Sequence, residues 1–410
     1  MRTFCLVLVT MLIVSCTSHS GNEIRFTNPI DQPAVDAGVV ITRKQLAEAG
    51  EIPENLLPVI RINGEEIPCQ PDDLDGDGAW DELFVLISLG PSETRNGTIV
   101  YIGEEEYPEY ERRTNIRFAR KDMDYKEVRE ATRETHAINT ETQKVWQMEG
   151  IAWENDRIGF RNYFDRRNGM DIFGKVSSLM VLDSVGDKDH PDYHTFNPDW
   201  GVDVLKVGNS LGAGSIAIRY KDSLYRVGDN GMGTCEILAE GPLRSIFRLK
   251  FKGWKMADLP LDITHDVIIE AGKNYYSSEV TIEGTEAPIL LVTGIVNMKS
   301  KELHAAKSAE GTRAFYTYDL QSEDTTLLGM SIMIPDDLFA GTRETPGSGD
   351  GITETYTVQM NVEPGSLNHF RFYAAWERED PRWQTADGFA RLLTSESERM
   401  ASPVTFSIQH

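Results

Sequence analysis

The sequence contains little cysteine, and this scarcity limits both metal binding and cross-linking. Its 410 residues include four cysteines, of which Cys5 and Cys16 belong to an N-terminal targeting segment. Cys69 and Cys235 remain, and they predict either one disulfide in an oxidising compartment or two buried thiols. No Cys-x-x-Cys pair and no cluster of cysteine with histidine occurs, so the pattern of a structural zinc site is absent.

Basic residues are also scarce. The chain has 41 lysine and arginine residues against 65 aspartate and glutamate residues, which gives a formal net charge of −24. Such a field repels polyanions at long range, so the composition excludes nucleic acid as a partner. Because salt screens this field over about 8–10 Å, a locally basic cleft can still accept an acidic sugar.

A long apolar run is missing outside the N-terminus. The run from Phe4 to Val14 is almost entirely apolar, follows the basic Arg2, and is too short to span a bilayer. It leads into a Leu-Ile-Val-Ser-Cys sequence that has the form of a bacterial lipobox with Cys16 as the lipidated residue, although an ordinary secretory signal is the alternative. We expect a signal peptide at 1–15, a tether at 16–23, and an exported protein anchored by lipid to the cell envelope, on its periplasmic face or its outer surface.

Helical periodicity is limited to three stretches. They are Arg43–Ala49, a charged run at Met123–Thr140, and Asp387–Ala401 with Thr385 or Asp387 as its cap. Short runs rich in β-branched and aromatic residues, separated by turn residues, dominate the remainder. Asn63-Gly64 adds the signature of a type I′ hairpin. The pattern predicts an all-β protein with few helices.

The length of the chain exceeds what one small core requires. We expect an N-terminal β domain at 24–103, a charged linker with an exposed helix at 104–143, and a large β-sandwich domain at 144–410, of the large curved kind seen in carbohydrate enzymes.

The stretch from Trp153 to Lys175 combines strand-like alternation with a dense set of polar residues. Ile158 and Phe160 supply the apolar positions. The polar set within eight positions consists of Glu154, Asn155, Asp156, Arg157 and Arg161. These residues either form a salt-bridge network on a sheet or line a concave site for a polar, acidic ligand. If this stretch lines a ligand site, Trp153 would stack on a sugar, and Asn155 and Arg157 would bind it.

An aspartate-rich loop offers oxygen ligands. Asp73, Asp75 and Asp77 with Gly78 match the first half of a calcium loop, and Asp81 takes its ninth position. The twelfth position is Phe84 rather than a glutamate. The loop is therefore either a hairpin whose carboxylates bond their own backbone or a structural calcium site; Ca²⁺ is the one cofactor considered.

A second loop, at 189–201, contains His190, Tyr193 and His194. Loops on a rigid β scaffold often carry reactive side chains. Pro191 disfavours a helix, so the i,i+4 spacing of the histidines does not indicate a metal site. A proton-transfer pair of His194 and Tyr193, with His190 contacting the ligand, is the functional interpretation. A surface loop with incidental histidines is the alternative.

Two further places are candidates for substrate binding. His265 alternates with apolar neighbours in the strand Ile263–Ile269, where it is either a hydrogen-bonded strand histidine or a cleft-facing acid or base. Trp376 and Glu377 end another strand, where they would stack on and hydrogen-bond to a sugar ring, or would cap a core strand.

The lipobox and the stretches Gln70–Glu82, Trp153–Lys175 and Asp199–Gly214 resemble an exported family from bacterial glycan-degrading loci, domain of unknown function 4861. The resemblance covers nearly the whole mature chain. It implies a large β-supersandwich related to galactose mutarotase-like domains. Beside it we expect the N-terminal β domain to be a smaller β-sandwich. The resemblance also implies elimination of water from acidic oligosaccharides, beside polysaccharide lyases and glycoside hydrolases.

The residues suit such an elimination. A cation must neutralise the uronate, a base must remove a carbon-bound proton, and an acid must protonate the leaving oxygen. Arg161 or Arg157 would neutralise, and His194 would be the base with Tyr193 as the acid, or the reverse. Two other classes stay open: a glycan-binding lipoprotein without catalysis, and a mutarotase or epimerase that creates no double bond.

Overall fold

The computed structural model describes residues 19–133 and 145–409. Strands dominate these residues, and the two α-helices among them are α1 (Arg43–Ala49) and α2 (Ala386–Ala401). The first strands are β1 (His19–Thr27), β2 (Ala34–Thr42), β3 (Leu57–Ile62), β4 (Glu65–Ile67), β5 (Cys69–Asp72), β6 (Glu82–Leu89) and β7 (Thr94–Ile102). The next are β8 (Thr114–Arg117), β9 (Ala119–Arg120), β10 (Lys126–Glu127), β11 (Glu130–Arg133), β12 (Gly150–Asn155), β13 (Ile158–Tyr163), β14 (Met170–Lys175), β15 (Gly201–Asp203), β16 (Ala213–Tyr220) and β17 (Ser223–Arg226).

The remaining strands follow without a further α-helix until α2. They are β18 (Gly233–Glu240), β19 (Arg244–Met256), β20 (Leu259–Glu270), β21 (Tyr275–Glu283), β22 (Leu290–Val296), β23 (His304–Ala305), β24 (Thr312–Asp319), β25 (Leu328–Pro335), β26 (Phe339–Glu344), β27 (Thr355–Asn361), β28 (Leu367–Trp376) and β29 (Thr405–Gln409). Short 3-10 turns occupy Glu104–Glu106, Lys121–Met123, Asp336–Leu338 and Pro381–Gln384.

The N-terminal part is a β-sandwich. A sheet with the order β29-β1-β7-β3-β4 packs on a sheet with the order β2-β6-β5, and their inward side chains share one apolar core. The predicted hairpin is confirmed: Ile62 pairs with Glu65 across Asn63 and Gly64, whose φ angles of 55° and 85° are those that a type I′ turn requires.

The strand β29 returns from the far end of the chain to pair with β1. Val404, Phe406 and Ile408 pack against the core of the N-terminal sandwich. The smaller sandwich therefore contains strands from both ends of the described chain, so a single continuous range of residues does not define it.

The larger part is a supersandwich of three sheets around one core. A nine-stranded sheet runs in the order β11-β18-β19-β20-β21-β28-β25-β24-β23. It packs against two five-stranded sheets, β15-β14-β13-β12-β8 and β17-β16-β22-β27-β26, and all three contribute to the largest apolar cluster. On the other face of the nine-stranded sheet, α2 buries Phe389 and Leu393. The expected all-β supersandwich with a smaller N-terminal sandwich and few helices is confirmed.

The predicted helices near the two ends of the chain both form, and Thr385 caps the second one as expected. The side chain of Thr42 accepts a hydrogen bond from the amide of Gln45 at the start of α1, and Thr385 does the same for Gly388 at the start of α2. These caps satisfy amide groups that have no partner within the helix.

The expected charged helix from Met123 is wrong for the described residues 123–133. They form the end of a 3-10 turn followed by β10 and β11, and β11 pairs with β18 at the edge of the nine-stranded sheet. Charged side chains suit an edge strand, where they discourage pairing with other molecules. The stretch expected to be a linker also supplies β8 to the sheet of β12. Residues 134–144 lie outside the described residues.

Both cysteines of the described chain are free and buried, which fits the alternative of two thiols. The lipobox and Cys16 lie outside the described residues. Within 19–133 and 145–409, no helix is long and apolar enough to cross a membrane.

Truncation of the chain after Pro403 should lower the free energy of unfolding by about 2 kcal/mol or more, because three half-buried apolar side chains leave the N-terminal core. Thermal unfolding followed by circular dichroism measures the change. Leu367→Ser removes an apolar side chain that is 58% exposed, and should leave the melting temperature nearly unchanged. An unaltered melting temperature in the truncated chain would show that β29 does not stabilise this sandwich.

Candidate functional site

The sheet β15-β14-β13-β12-β8 is covered on both faces. All residues of β12, β13 and β14 are buried. One face joins the main core through residues such as Trp153 and Phe160. The loop 176–200 covers the other face, where Phe173 packs with Tyr193 and Trp200. Polar side chains on this second face are shielded from water and need partners within the protein.

Arg161 is the centre of a buried polar network on that second face. It lies directly opposite Asp171 in the pairing of β13 with β14, and Asp203 approaches from β15. The Nη2 atom of Arg161 donates to Oδ2 of Asp171 at 2.6 Å and to Oδ2 of Asp203 at 2.8 Å. The hydroxyl of Tyr163 donates to the same Asp171 oxygen at 2.6 Å. Arg161 is 2% exposed, so a cation without access to water is held by two carboxylates.

Two carboxylates beside one cation leave a negative charge that a bound proton can offset. Burial raises the pKa of Asp203 well above its ordinary value; Asp171 adds to this rise and Arg161 opposes it. Asp203 therefore holds a proton more readily than an exposed aspartate does.

His194 lies at the outer edge of the network, and Tyr193 lies against it. Nδ1 of His194 is 3.5 Å from Oδ2 of Asp203, and the histidine side chain is 68% exposed. The Arg161 guanidinium lies over the Tyr193 ring, 5.2 Å from its centroid. The side chain of Asp192 accepts the amide of His194 at 2.9 Å and so orients this turn. The exposed imidazole of His194 thus lies beside the buried carboxyl group of Asp203.

The structure thus brings together the three side chains expected to be catalytic, Arg161, Tyr193 and His194. Their common neighbour, Asp203, was not singled out from the sequence, and neither were Asp171 and Tyr163. Asp171 could have been found by pairing β13 with β14 in register, but nothing local in the sequence indicates that Asp203 reaches Arg161.

Arg161 is not accessible to a substrate in this structure, because it is 2% exposed; Nε and Nη2 bind Asp171 and Asp203, and Nη1 has no hydrogen-bond partner among the described residues. Its geometry is that of a positioning residue that fixes Asp203 and Tyr163. The expectation that Arg161 itself neutralises an acidic ligand is therefore corrected.

Three expected substrate contacts are wrong because the side chains lie in the interior. Trp153 packs among core aromatic residues, and Trp376 is fully buried with its indole N–H donating to Oγ1 of Thr326 at 2.7 Å. His265 is also buried; its Nε2 lies 2.9 Å from Oγ of Ser278, and desolvation lowers its pKa to about 4. These three side chains are part of the protein interior.

Asn155 and Arg157 shape the turn between β12 and β13. The amide of Asn155 is buried, donates to the carbonyl oxygens of Glu270 and Lys273, and accepts from the amide of Arg157. It is a structural group. Arg157 is 39% exposed and lies 3.5 Å from a carboxylate oxygen of Glu379, so it alone of this pair remains accessible to a ligand.

The other two expected contacts, His190 and Glu377, have no contact with the Arg161 network within the described part of the chain. Nδ1 of the exposed His190 lies 3.3 Å from the Asp187 carboxylate. Glu377 is half-buried just after β28. Their roles in binding stay predictions.

Carboxylates of the aspartate-rich loop accept hydrogen bonds from the backbone of the same loop, as expected for a hairpin of this composition. A carboxylate oxygen of Asp73 accepts the amide of Gly76 at 2.8 Å. Asp73, Asp75 and Asp81 nevertheless present oxygen atoms within 4.8 Å of one another, whereas Asp77 does not belong to this group. Calcium binding by these three carboxylates stays a prediction.

A cleft of about 750 Å³ adjoins the network, within the usual size range of ligand sites. The charged residues that line it are Glu149, Arg166, Arg167, Arg226, Asp229 and Asp350. It meets the network at Arg167, whose guanidinium lies 4.0 Å from the centroid of the Tyr163 ring.

Comparison with protein families gives a direct assignment. The model of the family described as domain of unknown function 4861 matches residues 26–406. The chain belongs to this family, as the resemblance of its motifs implies.

One curated relative is an uncharacterized protein, P7, from Formosa agariphila. It is 23% identical over 275 residues, which are 63% of this chain and 67% of that protein.

Among solved structures, a protein in glycosyl hydrolase family 38 and an alpha-mannosidase, both from Enterococcus faecalis, each align with 95% of this chain at 8% identity and a TM-score of 0.45. The chain spans less than half the length of these two structures, 47% and 46%. A protein assigned provisionally as an aldose 1-epimerase from Klebsiella pneumoniae aligns with 71% of this chain and 96% of its own, at 9% identity and a TM-score of 0.32. The family assignment therefore rests on the family model alone.

Replacing Arg161 by alanine should cost about 3–5 kcal/mol of stability, because Asp171 and Asp203 would stay buried without their cation. Arg157→Ala removes a half-exposed arginine with a single 3.5 Å ion pair, and should cost about 1 kcal/mol or less. Denaturant unfolding of both variants measures the two costs. Equal costs would contradict the central place given to Arg161.

Glu379 should make stability depend on pH near neutrality. Desolvation raises its pKa from 4.5 to about 7, although Arg157, Trp383 and Asn274 interact with it. The folded protein keeps this proton where the unfolded chain releases it, so the stabilisation is complete below pH ~4.5 and is lost as the pH rises through ~7. Glu379→Gln should therefore gain stability relative to the parent between pH 5 and pH 8. Melting temperatures of both proteins test this, and a pH-independent difference would be contrary evidence.

Proposed function

We propose that this protein is a carbon–oxygen lyase that eliminates water, or an alcohol, from acidic, uronate-containing oligosaccharides. The observation that carries the proposal is the exposed imidazole of His194, held beside Asp203 and next to Tyr193 at the edge of the Arg161 network. An ionisable group that is exposed yet backed by a buried carboxylate has the geometry of a general base.

The reaction begins with removal of the proton from the carbon that carries the carboxylate. The electron pair of that C–H bond forms a carbon–carbon double bond, and the adjacent carbon–oxygen bond breaks. A protein acid then protonates the departing oxygen, which leaves as water or an alcohol. Two proton-transfer groups of different character are required, one that accepts and one that donates.

His194 and Tyr193 differ in this way. His194 is exposed, and Asp203, 3.5 Å from its Nδ1, can orient the ring. Tyr193 is 7% exposed, and burial raises its pKa, so its hydroxyl stays protonated at neutral pH, as the acid of this reaction must be. This difference supports His194 as the base and Tyr193 as the acid.

We also propose that Cys16 carries a lipid and that the protein acts at the cell envelope. The lipobox supports this location. The partner is then an acidic oligosaccharide released outside the cytoplasm, and nucleic acid is not expected to bind the strongly acidic chain.

The test is mass spectrometry of lyase-generated acidic oligosaccharides after incubation with the purified mature protein. Loss of one water per chain and ultraviolet absorbance of a conjugated product are expected. His194→Ala should lower the rate by about 10²–10⁴-fold without changing the melting temperature. His304→Ala is the matched control, since it removes another exposed histidine beside a tyrosine, Tyr316, and should retain the parental rate.

Each alternative predicts a different result. A mass-neutral change of the sugar would identify a mutarotase or epimerase instead of a lyase. Binding without any chemical change, unaffected by His194→Ala, would identify a glycan-binding protein. Equal rates for the two histidine variants would remove His194 from the mechanism.

A further inference from the structure

We infer that the cleft beside the Arg161 network is a subsite for an anionic group of the oligosaccharide, held by Arg166 and Arg226. The inference rests on the proposed function and deepens it. Elimination next to a uronate needs a cation for the carboxylate, and Arg161 is committed to Asp171 and Asp203. The cleft supplies accessible cations, and it contacts the network where Arg167 lies on the Tyr163 ring.

The turn between β13 and β14 delivers two arginines to this cleft. Asp165 closes the turn by accepting the amide of Asn168 on its main-chain carbonyl at 3.0 Å and the amide of Arg167 on its side chain at 2.8 Å. Arg167 is fixed by hydrogen bonds to the carboxylates of Asp165 and Glu149. Arg166 is exposed and lines the cleft, and no ion pair to it occurs within the described residues.

Arg226 is held in place without being neutralised by direct contact. Its guanidinium donates to the main-chain oxygen atoms of Arg167, Ser210 and Asn209. Carbonyl oxygens orient a guanidinium but carry no full negative charge, so the cation keeps its attraction for an anion. Burial lowers the pKa of Arg226 to about 10, and it stays charged at neutral pH.

Two of the three acidic residues of the cleft have hydrogen-bond or ion-pair partners within the protein. The Glu149 carboxylate binds Arg167 at 2.6 Å. Oδ1 of Asp229 accepts from the indole of Trp254 at 3.1 Å and from the side-chain amide of Asn230 at 2.7 Å. Asp350 is exposed on the glycine-rich rim at 347–351. With three arginines against three acidic residues, the cleft is much less acidic than the chain as a whole, whose net charge is −24.

The cleft is connected to the Arg161 network through stacked and hydrogen-bonded side chains. Arg167 lies on the Tyr163 ring, and the Tyr163 hydroxyl binds Asp171, which binds Arg161. Tyr225 also lines the cleft and offers an aromatic surface of the kind on which sugars pack. The ligand is therefore an oligosaccharide with a planar carboxylate or a sulfate ester, two groups that a guanidinium recognises in the same way.

The experiment measures binding, so it does not depend on turnover. Isothermal titration calorimetry would compare a uronic acid trisaccharide, its carboxyl-reduced neutral form and a sulfated neutral trisaccharide. The parent protein should bind at least one of the anionic probes tenfold or more tightly than the neutral one, and added salt should reduce this preference. The anion bound more tightly identifies the group that the subsite takes.

Arg166→Gln should reduce the preference for the anion at least fivefold. Arg391→Gln, an equal loss of charge at an exposed position of α2, should not change it. Because Arg226 also ties three carbonyls together, Arg226→Lys is used in place of a neutral variant; it keeps the charge and should weaken anion binding if the variant melts like the parent.

Equal affinity for anionic and neutral probes, or equal effects of Arg166→Gln and Arg391→Gln, would overturn the subsite. The proposed function fails separately. If Arg166→Gln loses the preference for the anion but no oligosaccharide loses water, the subsite is supported and the proposed lyase activity is rejected. If the protein eliminates water but Arg166→Gln changes neither binding nor KM, the lyase activity is supported and the subsite is rejected.

Discussion

A buried guanidinium must be paired, and the pairing of Arg161 with Asp171 and Asp203 is the constraint on which this site depends. The ion group joins three neighbouring strands, β13, β14 and β15, on one face of their sheet. An uncompensated charge there would cost several kcal/mol. The positions of Asp203, and through it of His194, therefore follow from the need to neutralise Arg161.

A second buried pair fixes the loop that covers this network. The ammonium of Lys175 binds the carboxylate of Glu154, and both side chains are fully buried. The other oxygen of Glu154 accepts the amides of Val181 and Leu182 at 2.7 and 2.8 Å. The loop 176–200 is thereby attached to the sheet at its beginning, and its Tyr193 carbonyl accepts the amide of Asp203 near its end. Rigid attachment at both ends lets an otherwise irregular segment hold Tyr193 and His194 in place.

The features that could be predicted from the sequence are those determined locally. The caps of α1 and α2 and the Asn63-Gly64 turn carry their geometry in a few adjacent residues, and the alternation of short strands indicates the fold class. Arg161 on its polar strand and Tyr193 and His194 on a separate loop lie in one cluster, but their catalytic roles stay predictions.

The predictions that failed depend on whether a given face of a sheet is buried or open to solvent. An aromatic residue within a polar strand suggests a ligand surface only where its own face of the sheet is open, and Trp153 and Trp376 lie on faces that pack into the main core. Asp203 was missed because its contact with Arg161 joins residues 42 positions apart. The edge strand β11 looked helical because its pairing with β18 depends on tertiary structure and not on intrinsic propensity.

The central claim is that a base at the edge of the Arg161 network removes a carbon-bound proton beside a carboxylate. The most direct measurement uses an acidic oligosaccharide deuterated at that carbon and follows the product by mass spectrometry. The product should lose the deuteron together with one water, and the deuterated substrate should react more slowly than the ordinary one. A product that keeps its deuterium, formed at an unchanged rate, would contradict this claim.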